Sequence, residues 1–178
     1  MEDKIEKARI YEEGLENYPA WWVFSENLLN FVVWGLGAWI LWPLGVAGIP
    51  IASIIYLLLI IIFIWILLKK HNCTTCYYYG KWCHLGWGKY AALFFKKDSG
   101  NAATGAKLSV IWMILPLLPL LGAVAVMLWK GFSWITLIVL VVFLLLNAFQ
   151  FAVLRKPGCM RCKRRFDCAG SAAGNAVR

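Results

Sequence analysis

The sequence predicts an all-α, polytopic membrane protein with four transmembrane helices arranged as two hairpins. Three observations carry that class. Of 178 residues, 62% are hydrophobic, against about 45–50% in average soluble domains, and mean hydropathy is +0.69. The apolar residues fall in long blocks broken by short polar stretches. Eleven Trp and seven Tyr supply the amphipathic rings that anchor helices at membrane–water interfaces.

Residues 1–20 read as an acidic amphipathic helix. Ile5, Ala8, Tyr11, Leu15 and Tyr18 recur at helical spacing on one face, and Pro19 ends the pattern. The helix is expected to lie on the membrane surface or on the basic loops. Six acids and three bases fall in this stretch, and the remainder of the chain carries fifteen bases and three acids. The acidic start lacks the pattern of a cleavable signal.

Residues 21–68 form the first predicted hairpin, with spans over 21–42 and 44–68. Each exceeds the ~20 residues needed to cross the hydrocarbon, and their connection at Trp42-Pro43 is uncharged. Residues 69–107 form a polar connection with a cluster of cysteine and histidine. An interfacial helix follows at 89–97, then a flexible turn over 98–105. Residues 108–154 form the second hairpin, with spans over 108–129 and 134–154. Pro116 and Pro119 lie at the middle of the third span; interior prolines are tolerated in membrane helices where neighbours supply backbone partners. Residues 155–178 are a basic, cysteine-rich tail.

Lys and Arg set the orientation. The middle connection has seven lysines and the tail seven bases, and the hairpin turns share one, Lys130. Short basic loops stay cytoplasmic, so both termini and all six cysteines are expected on the cytosolic side of a plasma or bacterial inner membrane. The positive-inside bias accounts for the net charge of +9 without a nucleic-acid partner. The aromatics Tyr77, Tyr78, Tyr79, Trp82 and Trp87 are read as interface and loop packing, and Gly80, Gly86 and Gly88 as points where the loop turns.

The two halves look like a 2+2 internal repeat. Each reads hairpin, two bases, then a cysteine set. Cys73, Cys76 and Cys83 are spaced C-x2-C-x6-C, and Cys159, Cys162 and Cys168 are spaced C-x2-C-x5-C. A reducing cytosol argues against disulfides, and C-x2-C pairs read as metal sites. Each set of three is one ligand short of tetrahedral. The two histidines, His71 and His84, bring the count to eight. That is enough for two zinc ions in paired sites, each of three cysteines and one histidine. An all-cysteine site of four ligands beside a site of two cysteines and two histidines fits the count equally. An iron–sulfur cluster is the alternative cofactor, although the ferredoxin-type cysteine run is absent.

Glu26 is the one charged residue well inside a span. With Asn30, Asn147 and Gln150 it is expected to form a polar cluster beneath the cysteine loops, either as helix–helix hydrogen bonding or as a pocket for a quinone or lipid headgroup. No nucleophile–base pair is visible. The resulting expectation is a scaffold or accessory subunit of a membrane complex stabilised by structural zinc, in the bilayer and with a membrane partner or as a homodimer. A membrane iron–sulfur protein that passes electrons to a quinone or partner is the alternative, and a small transporter the third.

Overall fold

The computed structural model describes residues 10–168 and 170–173. Among them the chain is helical, with four helices long and apolar enough to cross a membrane: Ala20–Leu41, Ile51–Cys73, Ala102–Lys130 and Trp134–Met160. At about 1.5 Å per residue, the shortest of these reaches the ~30 Å of a bilayer core.

The first helix, α1 (Ala20–Leu41), packs against α2 (Ile51–Leu59), α5 (Ile111–Lys130) and α6 (Trp134–Phe149). It is thus the helix about which the others gather. Its buried stripe includes Glu26, Asn30, Val33, Trp34 and Ile40. The Ser53 hydroxyl donates to the Ala38 carbonyl at 2.6 Å and pins α2 to it. The core joins Val33, Trp34 and Ile40 of α1 to Tyr56 of α2, to Leu115 and Ala123 of α5, and to Leu140 and Phe143 of α6. The opposite faces carry exposed apolar side chains such as Phe24, Ile61, Leu121 and Leu145. That pattern suits helices whose outer surface meets lipid.

Helix boundaries move from the expected ones for identifiable reasons. The first turn is longer, because Trp42 to Pro50 folds as a tight loop with Val46 and Ile49 exchanging backbone hydrogen bonds; α2 starts just after Pro50. The second helix then runs on as a wider, π-type helix over Ile60–Cys73, so Cys73 belongs to a helix end. Lys70 lies in its last turn, where positive charge meets the carbonyl end of the helix dipole. The fourth helix also continues, through a π-type stretch Gln150–Arg155 into the short α7 (Lys156–Met160). The first cysteine of each C-x2-C pair therefore stands on the continuation of a long apolar helix. Pro116 and Pro119 lie inside α5 without ending it.

The polar connection holds two short helices, α3 (Trp87–Phe94) and α4 (Ala102–Leu108). The expected flexible turn over 98–105 is helical in its second part, since the Asn101 side chain accepts from the Thr104 N–H and caps α4.

The N-terminal expectation needs correction where it is visible. Residues 1–9 lie outside the described residues. Residues 10–19 are turns and extended backbone. They pair with the tail instead of coiling: the Tyr11 N–H donates to Lys163 O and the Leu15 N–H to Arg161 O, both at 2.9 Å. Leu15 and Cys162 form a parallel bridge. The periodicity of this stretch belongs to side chains that pack on the cysteine loops, and backbone pairing to the tail overrides its helical preference.

Candidate metal centre

The polar ends of α1, of the second and fourth long helices, and of the middle connection converge at one end of the bundle. Tyr18, Trp22, Val23 and Tyr78 form a small second core there. The Tyr18 hydroxyl donates to the Gly158 carbonyl at 2.6 Å, and the Tyr78 hydroxyl donates to the Leu15 carbonyl. Tyr78 also accepts from the Lys163 N–H at 3.1 Å. These tyrosines clamp the N-terminal segment and the tail over the first cysteine loop. Gly88 lets that loop close on itself, since any Cβ there would strike the Tyr78 and Lys81 carbonyls.

All six cysteines and His84 line one cavity of about 100 Å³. The two cysteine sets, far apart in sequence, thus face the same space. Every described cysteine is a free thiol. Among the described residues, no group of three or more His, Cys, Asp or Glu side chains is drawn together as a ready-made cage for one metal ion. The donors ring a space about three times the ~30 Å³ share of a water molecule.

His84 is held firmly. Its Nδ1 lies 2.8 Å from Glu26 Oε2, and its Nε2 lies 3.8 Å from Cys159 Sγ. Gly158 packs against the ring, and a Cβ there would lie 3.2 Å from His84 Cγ. Burial opposes charge on the imidazole, but Glu26 and Cys159 outweigh it, so its pKa lies well above the ordinary value. Glu26 reaches this ring from within α1, where it is fully buried. Its Oε1 has no hydrogen-bond partner among the described residues. Asn27 ties the same turn to the loop, with its Nδ2 donating to Leu85 O at 3.0 Å.

Burial pushes the Cys76 thiol up to about 11, against a backbone N–H from Tyr78 that favours the thiolate. Burial likewise pushes Cys162 up to about 12, against the Arg164 N–H, which donates to its sulfur at 3.4 Å. Cys168 is raised by burial and opposed by the Gly170 N–H. In all three cases the opposing donor comes two residues after the cysteine. Such N–H···S bonds tune sulfurs that carry negative charge.

Positive groups surround the cavity. Arg155 and Arg164 line it. Lys69, fully buried, places Nζ 3.2 Å from the Trp65 ring centre and 3.8 Å from that of Tyr90. Its Nζ has no hydrogen-bond partner among the described residues; the aromatic faces take that role.

His71 is elsewhere. Its Nδ1 accepts from the Asn101 N–H at 3.1 Å, and it does not line the cysteine cavity. His71, counted as one of the eight candidate ligands, thus stands on the α4 side, where its helix carries it, and away from this cavity. Seven of the eight candidate ligands come together.

A second cavity, of about 350 Å³, lies beneath the first. Glu26, Asn30, Asn147 and Gln150, the four residues expected to meet, all line it. Leu85, Trp112 and Arg155 line both cavities. In sequence, Glu26 stands out as a lone acid in an apolar span, which by itself marks a functional candidate; its bond to His84 depends on the fold. Lys69 and the Tyr18–Tyr78 clamp escape sequence reading, since no local spacing announces them.

No family model matches the chain, and no curated protein or solved structure matches it either.

Proposed function

We propose that the chain is a multi-pass membrane redox protein whose six cysteines and His84 are the donor set from which the four ligands of one iron–sulfur cluster are drawn. The observation that carries this reading is the convergence of all seven donors on a single cavity that shares a wall with a larger one. Two separate structural zinc sites call for two closed groups of four donors, eight in all, and seven line the cavity. A wide ring of sulfur donors suits a polynuclear centre. When bound, such a cluster supplies one-electron chemistry. The chain's own part is to hold the sulfurs, to donate N–H bonds to them, and to offset their charge with Lys69, Arg155 and Arg164. The basic loops favour a cytosolic position for this end of the bundle, and the shared C-x2-C pair followed by a third cysteine six or seven positions on favours two halves of common design.

A second reading, a zinc-stabilised scaffold, is favoured by one observation. Glu26 on His84 Nδ1, with Nε2 turned to the cavity, is the carboxylate–histidine arrangement that supports bound zinc. With His71 absent from the cavity, seven donors fill two tetrahedral ions only if one sulfur bridges them. Absorption spectra of protein purified without oxygen separate the two. A visible sulfur-to-iron band that bleaches on reduction supports the redox reading. Colourless protein that retains zinc overturns it in favour of the scaffold.

A further inference from the structure

The geometry points to the larger cavity as the binding site of a quinone headgroup drawn from the bilayer. The inference rests on the redox reading above and names the class of molecule that exchanges with the centre. At about 350 Å³ the cavity falls within the roughly 300–1,000 Å³ of pockets that bury small organic ligands. Its two ends differ in character. Ala148 and Phe151 line it and are exposed on the outward face of the fourth long helix, so it opens toward the side that lipid would cover. Its inner side is marked by the fully buried Glu26; Arg155 is a further lining residue, its guanidinium also donating to Gly170 O at 3.1 Å.

Glu26 Oε1 is the strongest indicator. Oε2 is engaged by His84, but Oε1 is buried in the bundle without a hydrogen-bond partner among the described residues. Leaving a buried polar group unsatisfied is costly, and a ligand that donates a hydrogen there removes the cost. The indoles of Trp34 and Trp112 give the cavity flat apolar walls. A fitting ligand therefore has a planar ring, an apolar tail toward the opening, and ring oxygens at the inner end. In the oxidised form these oxygens accept from Arg155; in the reduced form a ring hydroxyl donates to Glu26. A quinone and its quinol meet all of these conditions. A fatty acid or anionic phospholipid headgroup would set negative charge against the Glu26 carboxylate where the dielectric is low.

The test is photolabelling of the full chain in detergent micelles with a short-tailed azido-benzoquinone, mapped by mass spectrometry, with metal content measured on the same sample. The expected result is label on Trp112 or within 147–155, prevented by excess unreactive quinone and unaffected by a long-chain fatty acid or anionic phospholipid. Ala148→Trp, which fills the opening without touching Glu26, is expected to lower specific labelling about tenfold, as a loss of ~1.4 kcal/mol would, with metal content unchanged. Labelling that quinone does not compete, that fatty acid or phospholipid competes equally, or that Ala148→Trp leaves intact would overturn the inference. Iron-containing protein without quinone labelling overturns this inference alone. Specific labelling of protein that holds no iron overturns the redox reading and leaves the pocket standing.

Discussion

The Glu26 carboxylate fixes the His84 ring: Oε2 lies 2.8 Å from Nδ1, and the ring's other nitrogen thereby faces Cys159 at 3.8 Å. This bond links a helix interior to a loop 58 residues away, and it sets which nitrogen is offered to the cysteine cavity. Glu26 thus turns His84 toward the cysteine cavity and also lines the cavity beneath it.

Glu26→Gln keeps the size of the side chain and removes its charge. Outer-sphere partners of ligating histidines typically contribute about 10–100-fold in metal affinity, and a loss of that size is expected here. Competition with a chelator, read against an unchanged helical circular dichroism spectrum, checks it. Wild-type metal retention in the variant would show that His84 does not act as a ligand oriented by Glu26.

Lys69 stands four residues before Cys73 on the same helix, inside a cage of Trp65, Trp87 and Tyr90. A buried cation beside thiolates favours the more negative, reduced form of a cluster. Lys69→Met should fill the same space without charge and shift the midpoint potential downward. A redox titration followed by absorption reads the shift directly. An unchanged potential would mean that the lysine serves the fold alone.

Glu16 straps the N-terminal segment to the loops. It accepts from the Tyr77 hydroxyl and pairs with Lys81 at 3.3 Å and Lys163 at 3.0 Å. The Tyr77 bond, then those to Lys163 and Lys81, lower its pKa from 4.5 to about 2. A depressed carboxylate pKa contributes stability above the unfolded value and loses it as pH falls through the folded value. The strap is therefore expected to hold above pH 4.5 and to loosen toward pH 2. Proteolysis or hydrogen exchange at residues 10–18 should rise over that window, and Glu16→Gln should abolish the pH step. A step that survives in the variant would assign the transition to another group.

The class of fold was legible because it rests on composition and block length, which local structure cannot disguise. Four apolar blocks became four long helices, and two cysteine sets following basic pairs came to face one another. Helix ends were less legible. Cys73 and Cys159 each stand on a helical continuation that the preceding basic pair, Lys69-Lys70 or Arg155-Lys156, did not stop; these cations favour a helix C-terminus instead of breaking it. The N-terminal strap misled for a different reason: Tyr11, Leu15 and Tyr18 share a helical spacing, yet Tyr11 and Leu15 pair by backbone with residues near 160, a long-range contact that no window of sequence contains. The same holds for the site. The candidate donors could be named from sequence, but only the fold shows that His84 lines one cavity with the cysteines while His71 turns to Asn101, and that this cavity receives cysteines from both sets.

Iron, zinc and acid-labile sulfide, measured per chain on anaerobically purified protein alongside Cys73→Ser and Cys159→Ser, test the shared centre most directly. Iron and sulfide in matching amounts, lost together when either cysteine set is interrupted, is the result expected of one cluster held by both halves. Zinc without sulfide, or a loss confined to half the metal in each variant, would contradict a single iron–sulfur centre and point to two independent sites.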